Sequence, residues 1–282
     1  MPVDEPGPSG PTERKASAAL LTDSLSSDPF GVAPPSEAPA WSRDGADDAD
    51  DLAAASLALA RRFSGGATLW CIAPQWPEQA RHVAVEFVHP VIVGSRALPA
   101  VHVGGPALVA DLRSLVRPGD VLCAVSPADD PTVADVFRRA PAWGAMTMWI
   151  GAGHRPPGGA ADHVLWSADV DGDPVLAPHD GSLSLRYHML WELTHICFDH
   201  PGLLTEDPAV CEGPVCITCS DEGRLGEVVT TTGELDAEAT VRTGDGLEVV
   251  DTMLVGPLQA GDLILIHAGS AITVLDNDLY PR

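Results

Sequence analysis

The feature that most constrains the fold of this chain is a change in the period of its hydrophobic pattern near residue 205. Before that point, short apolar runs alternate with segments whose apolar residues recur at helical spacing. Beyond it, apolar residues recur at every second position and glycine-bearing turns separate the runs. Because the two periods belong to helices and half-buried strands respectively, the sequence predicts an α/β part followed by a small all-β part. The boundary is expected in the Pro/Gly-containing segment His200–Pro208.

The first part, residues 49–204, is predicted to be a three-layer αβα domain with a parallel sheet. A proline-rich, acidic leader over residues 1–48 is predicted to be disordered. An N-capped helix is expected to begin near Asp50. The predicted strands are Ala67–Ala73, Val91–Val93, Val121–Ser126, Ala145–Gly151 and His163–Trp166. The further predicted helices are Glu78–Val88, Pro106–Leu115, Pro131–Arg139 and Leu183–His200.

The second part, residues 209–282, is predicted to be a small OB-like β-barrel. Its predicted strands are Leu225–Val229, Ala239–Thr243, Leu247–Val250 and Leu263–His267. Glycine-bearing turns between short alternating runs are the sequence pattern of such barrels.

Charge and cysteine content limit the classes of partner. Forty acidic and 16 basic residues give a formal net charge of −24, which argues against nucleic acid or an anionic membrane as partner. Apolar runs stay below the roughly 18–20 residues that cross a bilayer. The first residues lack the pattern of a secretory signal, and six cysteines without such a signal are expected to be thiols. We therefore expect a soluble, cytoplasmic protein.

Two polar sets at helical spacing are candidates for a metal site in the α/β part. His82 and Glu86 are four residues apart, and His188, Glu192 and His195 follow one stripe of the last predicted helix. Imidazole and carboxylate groups suit zinc or iron. An ordinary i,i+4 pair on a solvated face and a hydrogen-bonded polar seam between helices are the alternative interpretations.

A second candidate site combines cysteines with one histidine in the all-β part. Cys211, Cys216 and Cys219 lie within nine residues, and His267 ends an apolar strand before Ala268-Gly269. The pair Cys216 and Cys219 forms a C-x-x-C motif, which can chelate one ion from one turn. A redox role for the pair and three thiols without a special function are the alternatives.

Residues 50–204 resemble the sugar-isomerase (SIS) fold, in particular its phosphoheptose isomerase branch. The most specific match is Gln79–Phe87, which is similar to that family's A-x-H-x-x-x-E-F helix. The resemblance implies a metal site with His82 and Glu86, completed by His188 or His195. It also implies a proton-transfer role for Glu86, carbonyl polarisation by a histidine such as His188, and homo-oligomers formed through this domain.

The loops that bind phosphate in that family differ here. The first, Ala73–Pro77, has neither glycine nor serine, and the second, Ser126–Asp130, keeps only Ser126 as a candidate ligand-binding hydroxyl. Asp129 and Asp130 place negative charge where a phosphate would bind, so the sequence disfavours a sugar phosphate as ligand.

Residues 211–276 resemble the HypC/HupF-type chaperones of hydrogenase assembly. The matching stretches are Arg224–Val229 and Val255–Asp276, which contains the run V-x-x-G-D-x-x-L-x-H-A-G-x-A-I in closely related form. The resemblance implies that His267 and a cysteine hold an iron fragment transiently, with the hydrogenase large-subunit precursor and other assembly proteins as partners. The family's cysteine follows the initiator methionine, whereas Cys211, Cys216 and Cys219 are internal.

Two functions from different classes follow from these resemblances. The first is a non-enzymatic maturation factor of a nickel–iron hydrogenase, with the SIS-like domain as a non-catalytic dimerisation or ligand-sensing unit. The alternative is a metal-dependent isomerase of sugar phosphates of the sedoheptulose 7-phosphate type, with zinc in the SIS-like domain and the barrel as an accessory module.

Overall fold

The structure is a computed structural model that describes residues 43–90, 94–167, 181–205, 223–231 and 238–275. Three sequence predictions lie outside these ranges: the leader as far as residue 42, the strand Val91–Val93, and the cysteines 211, 216 and 219. Within the described ranges, no helix is long and apolar enough to cross a membrane.

The α/β part contains, in its described residues, five parallel strands and five α-helices. The strands are β1 Leu69–Ile72, β2 Ala100–His102, β3 Val121–Val125, β4 Met146–Ala152 and β5 His163–Ser167. The helices are α1 Arg43–Ser64, α2 Pro77–Val88, α3 Leu108–Leu115, α4 Pro131–Arg139 and α5 Ser182–Asp199. The sheet order is β2-β1-β3-β4-β5, and all four strand pairings are parallel. Helix α1 begins at Arg43, earlier than the start predicted near Asp50, and β2 was not predicted.

The helices cover both faces of the sheet and build two separate cores. On one face, Leu59 of α1, Phe87 of α2 and Leu190 of α5 pack with Leu69 and Cys123 of the strands. The opposite core joins helices α3 and α4 to the other side of the same strands, with the buried members Leu112, Val136, Ile72, Leu122 and Trp149. Successive strand residues point to opposite faces, so this arrangement confirms the predicted three-layer αβα fold.

The strand order places a topological switch point between β1 and β3. From β1 the chain moves outward to β2, then crosses back to β3 on the other side of β1. In open parallel sheets, ligands bind at the carboxyl ends of the strands where the order reverses. The segments Ala73–Trp76 and Ser126–Asp130 therefore occupy the usual ligand-binding edge.

The C-terminal part is a closed β-barrel of five described strands in the order β10-β8-β7-β6-β9. The strands are β6 Arg224–Thr231, β7 Glu238–Thr243, β8 Gly246–Asp251, β9 Leu263–His267 and β10 Ser270–Val274. Four match the predicted strands, whereas β10 was not predicted. A two-residue turn joins β9 to β10, with φ of 49° at Ala268 and 81° at Gly269. Positive φ at both central residues is the requirement of a type I′ hairpin turn, which explains a glycine after Ala268.

One buried carboxylate joins the barrel to the α/β part. Glu227 of β6 is 1% exposed and accepts two hydrogen bonds from Arg113 at 3.0 and 2.7 Å. It also accepts hydrogen bonds from Arg139 Nη1 at 2.6 Å and Trp143 Nε1 at 2.8 Å. In the opposite direction, Arg242 of β7 donates to the backbone carbonyls of Arg113 and Val116. The described residues from Asp44 onward belong to one compact unit.

Candidate functional site

A cluster of two histidines and one glutamate lies where α2 packs against α5. Glu86 Oε1 lies 3.1 Å from His82 Nε2 and 3.2 Å from His188 Nε2. The two imidazole rings are 5.1 Å apart, and one donor atom from each of the three residues lies within 4.8 Å of the others. The structure therefore brings together three of the five residues predicted for this site.

Helix geometry explains how these side chains meet. Pro77 starts α2, where its missing N–H costs no helical hydrogen bond, and one turn separates His82 from Glu86 on the same face. Helix α5 supplies His188 from the facing side. Side chains of both histidines are about two-fifths exposed, at 42% and 43%, whereas Glu86 is 16% exposed. The cluster is thus open to solvent on the histidine side and anchored on a partly buried carboxylate.

The donor set suits a divalent cation of the zinc type. Two imidazole nitrogens and one carboxylate oxygen are the ligand classes that zinc takes, and three protein ligands leave a coordination position for water or substrate. Among the described histidine, cysteine and acidic residues, His82, Glu86 and His188 form the group whose side chains lie close enough to share an ion.

A buried tyrosine beside the cluster was not identified from the sequence. The Tyr187 hydroxyl lies 2.7 Å from His82 Nδ1, 2.9 Å from Ser184 Oγ and 3.0 Å from Gln79 Oε1. Burial, opposed by the hydrogen bond from Ser184 and assisted by the charge of Glu86, raises the pKa of Tyr187. The residue directly precedes His188 in the sequence, but periodicity assigns it to the core.

Glu192 and His195 do not join this cluster, contrary to the prediction of one metal-binding stripe. His195 is buried, and its ring nitrogens face the backbone carbonyls of Trp191 at 2.9 Å and Arg96 at 3.0 Å. Glu192 is exposed one turn before it on α5. Helix α5 contacts α2 near His188. Glu192 and His195 lie farther along α5, away from that contact, and so do not reach the cluster.

Ser126, the predicted ligand-binding hydroxyl, is buried within the α/β core. Its Oγ accepts a hydrogen bond from Trp149 Nε1 at 2.9 Å and donates to the Pro127 carbonyl at 3.2 Å. Asp130 caps α4 and accepts hydrogen bonds from the backbone N–H groups of Thr132 and Val133. A carboxylate therefore occupies the helix N-terminus that could otherwise bind a phosphate. Both observations count against a phosphate site in this loop.

His267 lies at one end of the barrel, at the last position of β9 and opposite Ser270 of β10. It is partly exposed. The antiparallel register pairs Arg224 of β6 with Ile266, so Gly223, the residue before β6, enters the barrel beside His267. The segment that carries the three cysteines ends immediately before Gly223.

The outer wall of the barrel carries several exposed apolar side chains. We call this surface the apolar wall, and its members are Leu247, Val249, Met253, Leu254 and Ile272. Strand β8 contributes its outward positions and pairs with β10 at Asp251 and Ser270, so the wall reaches the His267 turn. Exposed apolar side chains that form a contiguous patch mark protein-binding surfaces, and strands β8 and β10 carry candidates for one.

Comparison with known proteins finds matches to both parts of the chain. Residues 224–280 match the model of the HupF/HypC family. A phosphoheptose isomerase structure from Francisella tularensis is 12% identical, with 54% of this chain and 91% of that chain covered and a TM-score of 0.46. A phosphoheptose isomerase from Neisseria gonorrhoeae is 18% identical, with 53% of this chain and 85% of that chain covered and a TM-score of 0.39. No curated protein matches the chain.

Residues 224–280, which include all five described barrel strands, thus match the HupF/HypC family, and in this chain they follow a parallel α/β domain.

Proposed function

We propose that this protein is a maturation factor of a nickel–iron hydrogenase that assists assembly or delivery of the iron centre through its barrel. The observation that carries the proposal is the family match over residues 224–280, with His267 at the partly exposed end of β9. The iron fragment is cargo in this scheme and is held transiently. The hydrogenase large-subunit precursor and other assembly proteins are the proposed partners.

The barrel's strand register supports a cysteine as the second iron ligand. Gly223 is beside His267, and Cys219 precedes it by four positions. Covalent geometry limits the distance between these two Cα atoms to about 14 Å, at roughly 3.3–3.6 Å per residue. Cys219, and Cys216 three positions before it in the sequence, are therefore within the chain's reach of the His267 end. A thiolate with an imidazole suits iron as a ligand pair.

The apolar wall supports a protein as the partner. Acidic residues Glu238, Asp245 and Asp251 flank it on β7, on the β7–β8 turn and on β8. A partner surface with apolar anchors and basic flanks would complement this wall, in keeping with the chain's net charge of −24.

An anaerobic binding experiment tests the proposed function. The full chain is loaded with Fe²⁺, separated from free metal and mixed with purified hydrogenase large-subunit precursor, and iron and complex are both quantified. Wild type is expected to retain iron and bind the precursor. Cys219→Ala and His267→Ala are expected to lose most of the iron because each removes one ligand.

His154→Ala is the matched control, since His154 is exposed and lies in the α/β domain. This variant should behave as wild type. Wild-type protein that holds no iron and forms no complex with the precursor would contradict the proposal.

A second candidate function is metal-dependent aldose–ketose isomerisation in the α/β domain. The His82, Glu86 and His188 cluster favours it, with Zn²⁺ as the proposed ion acting as a Lewis acid. In this hypothesis Glu86 moves the proton between adjacent carbons, and His188 polarises the carbonyl. Buried Ser126 and the capping carboxylate of Asp130 weigh against it. We therefore propose the domain chiefly as a non-catalytic unit for homo-oligomer formation or ligand sensing.

An assay for turnover of sedoheptulose 7-phosphate tests this second candidate function. The zinc-loaded protein is assayed beside Glu86→Gln, which keeps the side-chain shape but removes the base. Turnover that Glu86→Gln abolishes and Glu192→Gln retains would establish the isomerase. We expect no turnover above background in wild type, because the phosphate-binding groups are occupied by the protein itself.

A further inference from the structure

The hydroxyl of Tyr187 contacts three polar side chains beside the histidine–glutamate cluster. Tyr187 is fully buried, and its ring lies edge-on to the ring of His82 with centroids 5.1 Å apart. Its oxygen contacts Gln79 Oε1, Ser184 Oγ and His82 Nδ1 at 3.0, 2.9 and 2.7 Å. The arrangement fills the hydrogen-bonding capacity of a phenol, which has one donor and two acceptor positions.

The direction of these bonds determines the tautomer of His82. The phenol donates its single proton to the carbonyl oxygen of Gln79, so it can only accept from the other two groups. A neutral imidazole that donates to the phenol must carry its proton on Nδ1. Its Nε2 then bears a lone pair, and that lone pair faces Glu86 Oε1 at 3.1 Å.

This geometry is favourable when a cation lies between the two acceptors. In the neutral Nδ1–H tautomer without an ion, the Nε2 lone pair and the carboxylate oxygen repel each other, whereas a divalent cation would be bound by both. Metal-binding histidines usually donate their other ring N–H to a neighbouring acceptor, which fixes both tautomer and ring orientation.

We propose that Tyr187 is the positioning residue of the metal site, because it holds His82 in the Nδ1–H tautomer and presents Nε2 to the ion. This inference rests on the proposed zinc site of His82, Glu86 and His188. Ser184 and Gln79 act through Tyr187, since each contacts the phenol oxygen.

The test uses the full chain, Zn²⁺ alone as probe, and Tyr187→Phe, which retains the buried ring. The affinity for Zn²⁺ is measured by competition with a chelator at neutral pH. Nitrogen-15 NMR of histidine-labelled, metal-free protein reports the tautomer of His82, with the signal assigned by its loss in His82→Ala. Tyr187→Phe is expected to weaken zinc binding about 10–100-fold and to shift His82 toward the Nε2–H tautomer.

Glu192→Gln is the matched control, because Glu192 is exposed on the same helix and should change neither measurement. Unchanged zinc affinity together with an unchanged His82 tautomer in Tyr187→Phe would overturn the inference. Failure of wild type to bind zinc would instead refute the metal site. The His82 tautomer in metal-free wild type distinguishes a failed metal site from a failed role of Tyr187. A proton on Nε2 of His82 in that sample would contradict the role of Tyr187 directly.

Discussion

At the scale of single residues, the buried hydrogen-bond partners of a polar side chain determine whether it is structural or available to a ligand. Residue type alone does not. Ser126 and Asp130 lie in one loop, and by residue type both could face a ligand. In the structure, however, Ser126 accepts a hydrogen bond from Trp149 and Asp130 caps the start of α4. Glu227 shows the opposite case. It falls among ordinary polar positions of a barrel strand, but the folded chain surrounds it with Arg113, Arg139 and Trp143.

Glu227→Gln is expected to destabilise the protein and to change its acid sensitivity. Burial alone would raise the pKa of Glu227, but the hydrogen bonds from Arg113 and Trp143 and the charge of Arg113 outweigh it and lower the pKa. A carboxyl whose pKa is lowered by folding stabilises the fold above its unfolded pKa of about 4.5. This contribution disappears as the pH falls through the folded pKa.

Urea unfolding at pH 7 should show a loss of about 3 kcal/mol in the variant. That value is the lower end of the range for breaking a buried ion pair, because Arg113 is 38% exposed and glutamine still accepts a hydrogen bond. The decrease in the free energy of unfolding of wild type below pH 4.5 should be smaller in Glu227→Gln. Glu238→Gln, on an exposed position of β7, serves as control. Equal pH profiles for wild type and Glu227→Gln would contradict this assignment.

At the scale of secondary-structure elements, hydrophobic period predicted most helices and strands to within a few residues. The missed strands β2 and β10 have a common cause. Neither carries an apolar run of its own: β2 has only three residues, and β10 alternates apolar with polar residues after Ala271-Ile272. Pairing with β1 and with β9 and β8 makes them strands. The α2–α5 contact likewise explains why His188 joins His82 and Glu86 while His195, two turns on, binds backbone carbonyls.

At the scale of the whole molecule, the α/β part and the barrel share a buried polar interface. Glu227 reaches from the barrel into the α/β part, and Arg242 donates to the carbonyl oxygens of Arg113 and Val116. Gly144 and Gly244 approach closely at the same interface, where a Cβ on Gly144 would lie 2.9 Å from the Gly244 carbonyl. The barrel is therefore held in a defined position relative to the α/β core.

We expect both parts to unfold in one cooperative transition. All seven tryptophans precede residue 192, so tryptophan fluorescence reports mainly the α/β part, with Trp143 at the interface, and hydrogen exchange of β7 and β8 peptides reports the barrel. The two midpoints in urea should coincide in wild type. In Arg242→Ala, which removes two interface hydrogen bonds, the barrel midpoint should fall below the α/β midpoint. A wild-type barrel that unfolds at a lower urea concentration than the tryptophan signal would show that the interface does not couple them.

The sequence by itself determined the two fold classes, the α2 helix with its His82 and Glu86 pair, and the strand that ends at His267. These features depend on local spacing: a helical period places residues four apart on one face, and a period of two defines a half-buried strand. Only the tertiary structure decided which distant groups meet. The α2–α5 packing placed Tyr187 behind His82 and excluded His195 and Glu192, and the docking of the barrel buried Glu227 between two arginines. Such contacts join residues about 100 positions apart, and no local period encodes which of them will be neighbours.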